Sequence, residues 1–125
     1  MQEFHGFILG LPLNAVPAGA SPFVIWEGSH HILRDMLRAA YAEVDPADWA
    51  GVDVTEVYQE TRRRIWAECR RVEITARPGE AYVVHRFALH GVAPWRAARP
   101  GPSDGRMIAY FRPHWTGRLD DWLQV

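Results

Sequence analysis

Short apolar runs separated by turn-forming residues predict a chain built mainly of strands. The runs either alternate with polar residues or are too short for a buried helix, and prolines and glycines bound most of them. The predicted strands cover residues 4–13, 22–26, 72–76, 81–84 and 106–112. Between them, residues 14–21 and 98–104 are rich in proline, glycine and small residues, which is typical of surface loops.

A helical period interrupts these strands in the middle of the chain. From His31 to Tyr41, apolar residues recur at the spacing of one helix face. A second helix is predicted over about residues 54–70, where Asp53 is an N-cap candidate and alternating acidic and basic residues form a solvated face. The pattern therefore predicts a mainly β, α+β chain with a helical insertion at about 31–70. Its strands would form a sandwich or open barrel with helices outside.

Composition narrows the class of protein. The 125 residues are enough for one domain, and 48% hydrophobic with 23% charged residues indicates a globular chain. Fifteen acidic and fourteen basic residues leave a formal charge of −1, so charge favours neither nucleic acid nor a membrane as partner. No apolar run reaches the ~20 residues of a membrane span. The single cysteine, Cys69, fits a reducing compartment, and we expect a cytoplasmic protein.

Three blocks of the sequence resemble the phytanoyl-CoA dioxygenase family. Segment 79–91, GEAYVVHRFALHG, is similar to the family's turn and strand that end in a His-x4-His-Gly element. Segment 19–30, GASPFVIWEGSH, resembles a strand and a Pro-Gly-Ser-His turn, and segment 105–110, GRMIAY, resembles the closing strand. The resemblance runs from about residue 5 to residue 112. It implies the C-terminal half of a double-stranded β-helix, a jelly-roll or cupin-like fold, as a single domain over 1–125.

The family consists of Fe(II)- and 2-oxoglutarate-dependent oxygenases, and the resemblance assigns roles to individual residues. His90 corresponds to the distal iron ligand, and Arg106 to the residue that grips the far carboxylate of 2-oxoglutarate, with Tyr110 beside it. The reaction implied is decarboxylation of 2-oxoglutarate to succinate coupled to hydroxylation of a small organic substrate. Arg112, six residues further along the same strand, is the substitute candidate for Arg106. The other candidate pocket residues are His5, His85 and Trp95.

The sequence departs from the family at the metal site. The other two iron ligands come from a His-x-Asp pair, and no His-x-Asp or His-x-Glu occurs in this chain. We therefore expect one of three ligands, weak or absent iron binding, no turnover, and an incomplete barrel that begins at an internal Met of a longer oxygenase. Its open sheet edges would be covered by a homodimer or by the tail containing Trp122 and Leu123.

Three alternatives remain open at this point. The first is a three-histidine metal site made by His5, His85 and His90, which needs a bulge or turn near Arg86 because residues five apart on a regular strand face opposite ways. The second is a non-catalytic, cupin-like module, monomeric or dimeric, that binds a small molecule or a metal in the same pocket. The third is a purely structural domain, in which the histidines would serve only in packing.

Overall fold

The computed structural model describes residues 4–102 and 105–124. It contains six strands, three α-helices and one 3₁₀ helix. In chain order these are β1 (Phe7–Pro12), β2 (Phe23–Trp26), α1 (Ser29–Tyr41), the 3₁₀ helix (Pro46–Gly51), α2 (Thr55–Glu68), β3 (Arg71–Ile74), β4 (Tyr82–His85), β5 (His90–Val92), β6 (Ile108–Phe111) and α3 (Leu119–Trp122). The predicted α+β class is confirmed, and the helical insertion lies between β2 and β3.

The strands form two antiparallel sheets of three strands each. In one sheet the order is β4-β1-β6, and in the other it is β3-β2-β5. The sheets face each other across a small apolar cluster whose buried members are Ile8, Phe23 and Val84. Because β1 and β2 are both central strands, the two apolar runs that open the sequence provide the middle of each sheet.

Alternation along the strands decides which side chains enter the space between the sheets. On β1, Ile8, Gly10 and Pro12 are buried and face inward. On β2, Phe23 belongs to the inter-sheet cluster, whereas Val24 and Trp26 pack into the helical layer. Burial on both faces explains why β2 reads as a continuous apolar run in the sequence.

Helix α1 begins two residues before the predicted start at His31. Gly28 has a φ of 77°, a left-handed conformation that glycine adopts without steric cost, and Ser29 follows as the first helical residue. The fully buried Ser29 hydroxyl donates to the Trp26 carbonyl at 2.6 Å and accepts from the Leu89 amide at 2.9 Å. One hydroxyl therefore ties the end of β2 to the segment before β5.

The 3₁₀ helix and α2 begin beside acidic side chains that accept hydrogen bonds from their first turns. Asp45 accepts a hydrogen bond from the amide of Ala47 at the start of the 3₁₀ helix, which the sequence analysis did not predict. Asp53 accepts from the amide of Thr55 at 2.9 Å, and hydrogen bonds from the Thr55 side chain and from this amide lower the pKa of the Asp53 carboxyl. The fully buried Ile65 anchors α2 in the core against α1.

The C-terminal segment was expected from the sequence to cover an open sheet edge. It packs into the main core instead. Trp122 and Leu123 are both buried, and the Trp122 indole donates to the carbonyl of His5 at 2.9 Å. Trp122 also meets Phe87 and Phe4 edge-on, with ring centroids 4.6 and 4.8 Å apart. The tail thus joins the helical layer to the start of β1.

The segment between β4 and β5 carries the chain from one sheet to the other. β4 pairs with β1, whereas β5 pairs with β2, and a turn at Arg86 and Phe87 separates them. The His-x4-His element is therefore not one strand, and its two histidines lie in different sheets. Within the described residues, no helix combines the length and apolar content needed to cross a membrane.

Candidate functional site

Aromatic side chains from both sheets meet in the space between them. The Phe23 ring lies at the centre, with ring centroids 5.1 Å from Tyr82, 5.9 Å from Tyr110 and 5.6 Å from His90. Cross-strand pairing explains this arrangement, because Tyr82 and Tyr110 both lie opposite Gly10 on β1, one on each side. The structure therefore brings His90 and Tyr110, two of the predicted site residues, to the same ring cluster around Phe23, with Tyr110 39% exposed at its edge.

Gly10 makes room for the tyrosines. A Cβ atom at this position would lie 2.3 Å from Cζ of Tyr82, far inside van der Waals contact. The Tyr82 ring lies over the bare backbone of the central strand for this reason. The tyrosine hydroxyls are 3.0 Å apart and share a hydrogen bond. A glycine inside a strand often marks such a close approach.

Arg106 reaches this tyrosine pair from the segment before β6. Burial, followed by the hydrogen bond and charge of Tyr110, raises the pKa of Tyr82 well above its usual range, and the nearby Arg106 guanidinium opposes that rise. The Tyr82 hydroxyl is consequently protonated at neutral pH and remains a hydrogen-bond donor. Arg106 is half-buried, so its cation lies beside a neutral phenol at the edge of the interior.

Asn14 fixes the backbone on both sides of Arg106. Its side-chain amide donates to the Gly105 carbonyl at 2.7 Å, and its side-chain oxygen accepts from the Met107 amide at 3.0 Å. The Leu13 amide also donates to the Met107 carbonyl, which extends the pairing of β1 with β6. The sequence predicts Asn14 as the start of a loop, and this positioning role was not predicted.

A cavity of about 580 Å³ opens at this end of the two sheets. Prolines and small residues of the 12–22 segment form much of its wall, and its polar groups include Asn14, Tyr82, Arg106, Arg77 and Glu80. The Glu80 carboxylate accepts from the Arg77 amide at 2.7 Å and is engaged in that turn. Among the described residues of the lining, two guanidinium groups against one carboxylate give an excess of positive charge, which favours an anionic ligand.

His90 has a defined tautomer. Its Nδ1 atom lies 2.8 Å from the carbonyl oxygen of Ala88, and a carbonyl only accepts hydrogen bonds, so Nδ1 carries the proton. The lone pair is therefore on Nε2. A histidine whose Nδ1–H donates to a backbone carbonyl has the arrangement typical of imidazoles that bind metals through Nε2.

His85 has the opposite tautomer and lies elsewhere. Its Nδ1 accepts from the Phe87 amide at 3.1 Å, and its ring packs 5.0 Å from the ring of His30, which is itself 3.9 Å from that of His31. Burial, with the charges of Arg86, His30, His31 and Arg34, lowers the pKa of His85 to about 4. Since His85 pairs with the outward-facing Phe7, it does not reach the inter-sheet cavity.

The other predicted site residues are dispersed. His5 lines a second cavity of about 390 Å³, which also reaches His90 and lies between the sheets and the helical layer. Arg112 is exposed beyond the end of β6, and Trp95 packs over Gly101. Neither of these two residues lines either cavity, and neither does His85.

The three-histidine metal site considered from the sequence does not form. The turn near Arg86 that it required is present, but it sends His85 and His90 into different sheets. Across residues 4–102 and 105–124, no group of three or more His, Cys, Asp or Glu side chains is placed to hold a metal ion. The His90 ring stacks on Phe23 in the inter-sheet aromatic cluster.

The geometry of the site therefore consists of one interior imidazole, a tyrosine pair and a positioned arginine at the mouth of a cavity. Comparisons of the chain with protein-family models, with curated proteins and with solved structures gave no match.

Proposed function

We propose that the chain is an Fe(II)/2-oxoglutarate oxygenase-like domain of double-stranded β-helix type whose own residues bind 2-oxoglutarate in the Arg106 cavity. Two facing three-stranded antiparallel sheets, with the helical insertion between β2 and β3, support the jelly-roll or cupin-like assignment. The single observation that carries the proposal is the position of Arg106, beside the Tyr82 hydroxyl at a cavity of about 580 Å³. This volume lies in the range of small-molecule sites.

Arg106 and Tyr82 provide the chemistry that a carboxylate needs. The planar guanidinium offers two parallel donors to the two carboxylate oxygens, and the Tyr82 hydroxyl offers a third when Tyr110 donates the proton of the hydrogen bond that the two tyrosines share. Asn14 holds the backbone around Arg106, so the guanidinium starts from a fixed position and less entropy is lost on binding. The remaining length of the dicarboxylate would extend along the apolar wall of the cavity.

The described residues do not fit a complete iron site. Iron would supply the redox chemistry of an oxygenase, and it needs two imidazoles and a carboxylate on one face, with open positions for co-substrates. His90 has the right tautomer for one of these ligands, but the described residues bring no second and third ligand to it. We therefore derive no oxidation step for this chain.

Titration with 2-oxoglutarate in a chelator-containing buffer tests the binding proposal, with amide chemical shifts as the readout. We expect saturable shifts around Asn14 and Arg106. Arg106→Gln should weaken binding about 10- to 100-fold, the equivalent of one charge-assisted hydrogen-bond pair. The matched control is Arg112→Gln, which removes the same charge from an exposed position outside the cavity. Equal affinities for the two variants, or no saturation with the wild-type chain, would contradict the proposal.

A second candidate function is a non-catalytic small-molecule-binding module that uses the same cavity. The lack of a three-ligand group in the described part of the chain favours it.

Measurement of succinate after incubation with Fe(II), 2-oxoglutarate and dioxygen tests whether the iron site is incomplete. We expect no succinate above the protein-free rate, and formation at enzymatic rates would show that the iron site is complete. Preference for 2-oxoglutarate over succinate and glutarate favours the oxygenase-like domain, whereas equal binding favours the general module.

A further inference from the structure

The outer side of the β4-β1-β6 sheet is a continuous apolar surface, here called the open face. Alternation directs every second residue of β1 outward, and the register places partners from β4 and β6 beside them. Leu9, for example, lies between Val83 on one side and Phe111 on the other. The members of the open face are Phe7, Leu9, Leu11, Leu13, Val83, Met107, Ala109 and Phe111.

In the β3-β2-β5 sheet, by contrast, the outer side is covered by other parts of the chain. Val24 and Trp26 on β2 point away from the inter-sheet space and are almost fully buried in the helical layer formed by α1, α2 and the C-terminal segment. The described residues include no element packed in the same way over the open face. Five of its side chains, those of Phe7, Leu13, Val83, Met107 and Phe111, are 40–67% exposed.

The size and charge of the open face indicate the kind of partner. At roughly 200 Å² for a fully exposed large apolar side chain, the exposures of these five amount to about 500 Å², which is the size of the largest apolar patch on a typical monomer and is often functional. None of its members is charged. His85, opposite Phe7, is the titratable group at its corner. Burial, together with the neighbouring charges, lowers the pKa of His85 to about 4, so this imidazole is neutral at pH 7.

We propose that the open face is a homodimer interface in which two copies pack sheet on sheet. A partner of opposite charge has nothing to recognise on this surface, whereas an apolar patch is complementary to itself, as an isologous interface requires. Homodimer interfaces are also the most apolar class. The patch supplies most of the roughly 800 Å² per partner that a specific interface buries, and the polar residues around it supply the rest.

The strand order specifies how the copies pack. A two-fold axis parallel to β1, midway between the stacked sheets, places β1 over its counterpart and β4 of one copy over β6 of the other. Leu9 then meets Leu9 of the second copy, and the small Val83 meets the large Phe111. Face-to-face sheets pack about 10 Å apart, which allows these side chains to interdigitate. The interface therefore uses the sheet face, not the strand edges.

Light scattering after size-exclusion chromatography tests the interface. We expect the wild-type chain to elute as a dimer at micromolar concentration and Val83→Arg to elute as a folded monomer, since Val83 points outward and its replacement leaves the core intact. Val57→Arg is the matched control, because Val57 is 39% exposed on α2, in the helical layer. A monomeric wild-type chain, or a Val83→Arg variant as dimeric as the wild type, would overturn the proposal.

Cysteine cross-linking tests the axis. In a Cys69→Ser background, which removes the native thiol, Leu9→Cys should be joined to its counterpart in the second copy by a short bismaleimide, because sheets about 10 Å apart are too distant for a direct disulfide. The same background carrying Val57→Cys should remain uncross-linked. Cross-linking through residue 57 with none through residue 9 would place the contact on the helical side and refute the interface.

Discussion

Replacing Gly10 by alanine tests whether the inter-sheet interior depends on a missing side chain. Gly10 is buried at the centre of β1, and the new Cβ would lie 2.3 Å from Cζ, 2.4 Å from Cε2 and 2.7 Å from Oη of Tyr82. Carbon atoms in contact prefer separations of about 3.5–4.0 Å, so the Tyr82 ring must retreat by more than about 1 Å. The Phe23 ring, 5.1 Å away between centroids, occupies space on another side of the tyrosine.

The expected cost is the sum of two effects. Overpacking of a core by one methyl group destabilises by about 1–3 kcal/mol. Moving the Tyr82 ring also breaks its hydroxyl hydrogen bond to Tyr110, a contribution of about 0.5–1.5 kcal/mol. We therefore expect Gly10→Ala to lower the free energy of unfolding by about 1.5–4.5 kcal/mol, measured by urea denaturation with an unchanged slope.

Two further variants separate the clash from a general effect of alanine. Gly51→Ala is the matched control, because a Cβ there meets nothing within 4 Å and the residue has no positive φ. We expect it to lie within about 0.5 kcal/mol of the wild type. In Tyr82→Val, the ring is gone, so adding Gly10→Ala should cost little more. Strictly additive losses in the double variant, or a Gly10→Ala chain as stable as the wild type, would refute the reasoning.

Three other changes have definite expected outcomes. Asn14→Ala removes both hydrogen bonds that flank Arg106, so 2-oxoglutarate affinity in the chemical-shift titration should fall about 3- to 10-fold while the fold is kept. His85 has a folded pKa of about 4, below the ordinary 6.5, so its contribution to stability is complete above pH 6.5 and is lost as pH falls towards 4. After allowance for solvent screening, His85→Asn should flatten the decline in unfolding free energy over that window by about 1–2 kcal/mol. Arg86→Lys cannot reproduce the planar donors that reach the carbonyls of Trp122, Gln124 and Gly6, so unfolding free energy should fall by about 2 kcal/mol and amide hydrogen exchange should accelerate in the C-terminal segment.

Local pattern was sufficient to predict most strands because each has one face or both faces in a core. The continuous apolar run of β2 and the alternation of β3 agree with their observed environments. The start of α1 could not be predicted accurately from the local sequence. Its boundary is set by the left-handed Gly28 and by Ser29, whose hydroxyl bonds to the distant Leu89 amide. Because Ser29 and Leu89 are 60 residues apart in the chain, their hydrogen bond produces no local sequence pattern from which the helix start could be predicted.

The candidate site illustrates the same limit. The family resemblance selected His90 and Arg106 as separate residues, but their surroundings depend on strand register. Tyr82 was read only as part of a strand, although its position opposite Gly10 places it at the centre of the site. A glycine within an apolar strand was the available signal for such a close approach. Asn14 gave no comparable signal, because its two partners are more than 90 residues away.

The two histidines of the His-x4-His element show how a short turn assigns different chemistry to identical side chains. At His85, the turn presents the Phe87 amide to Nδ1, which fixes the proton on Nε2 and uses the lone pair in a structural bond. At His90, the Ala88 carbonyl takes the Nδ1 proton and leaves the Nε2 lone pair uncommitted by that bond. Only the second tautomer is suited to bind a metal through Nε2. Of these two imidazoles, only His90 therefore keeps an Nε2 lone pair that its bond to the turn does not use, and across the described residues no group of three possible metal donors forms.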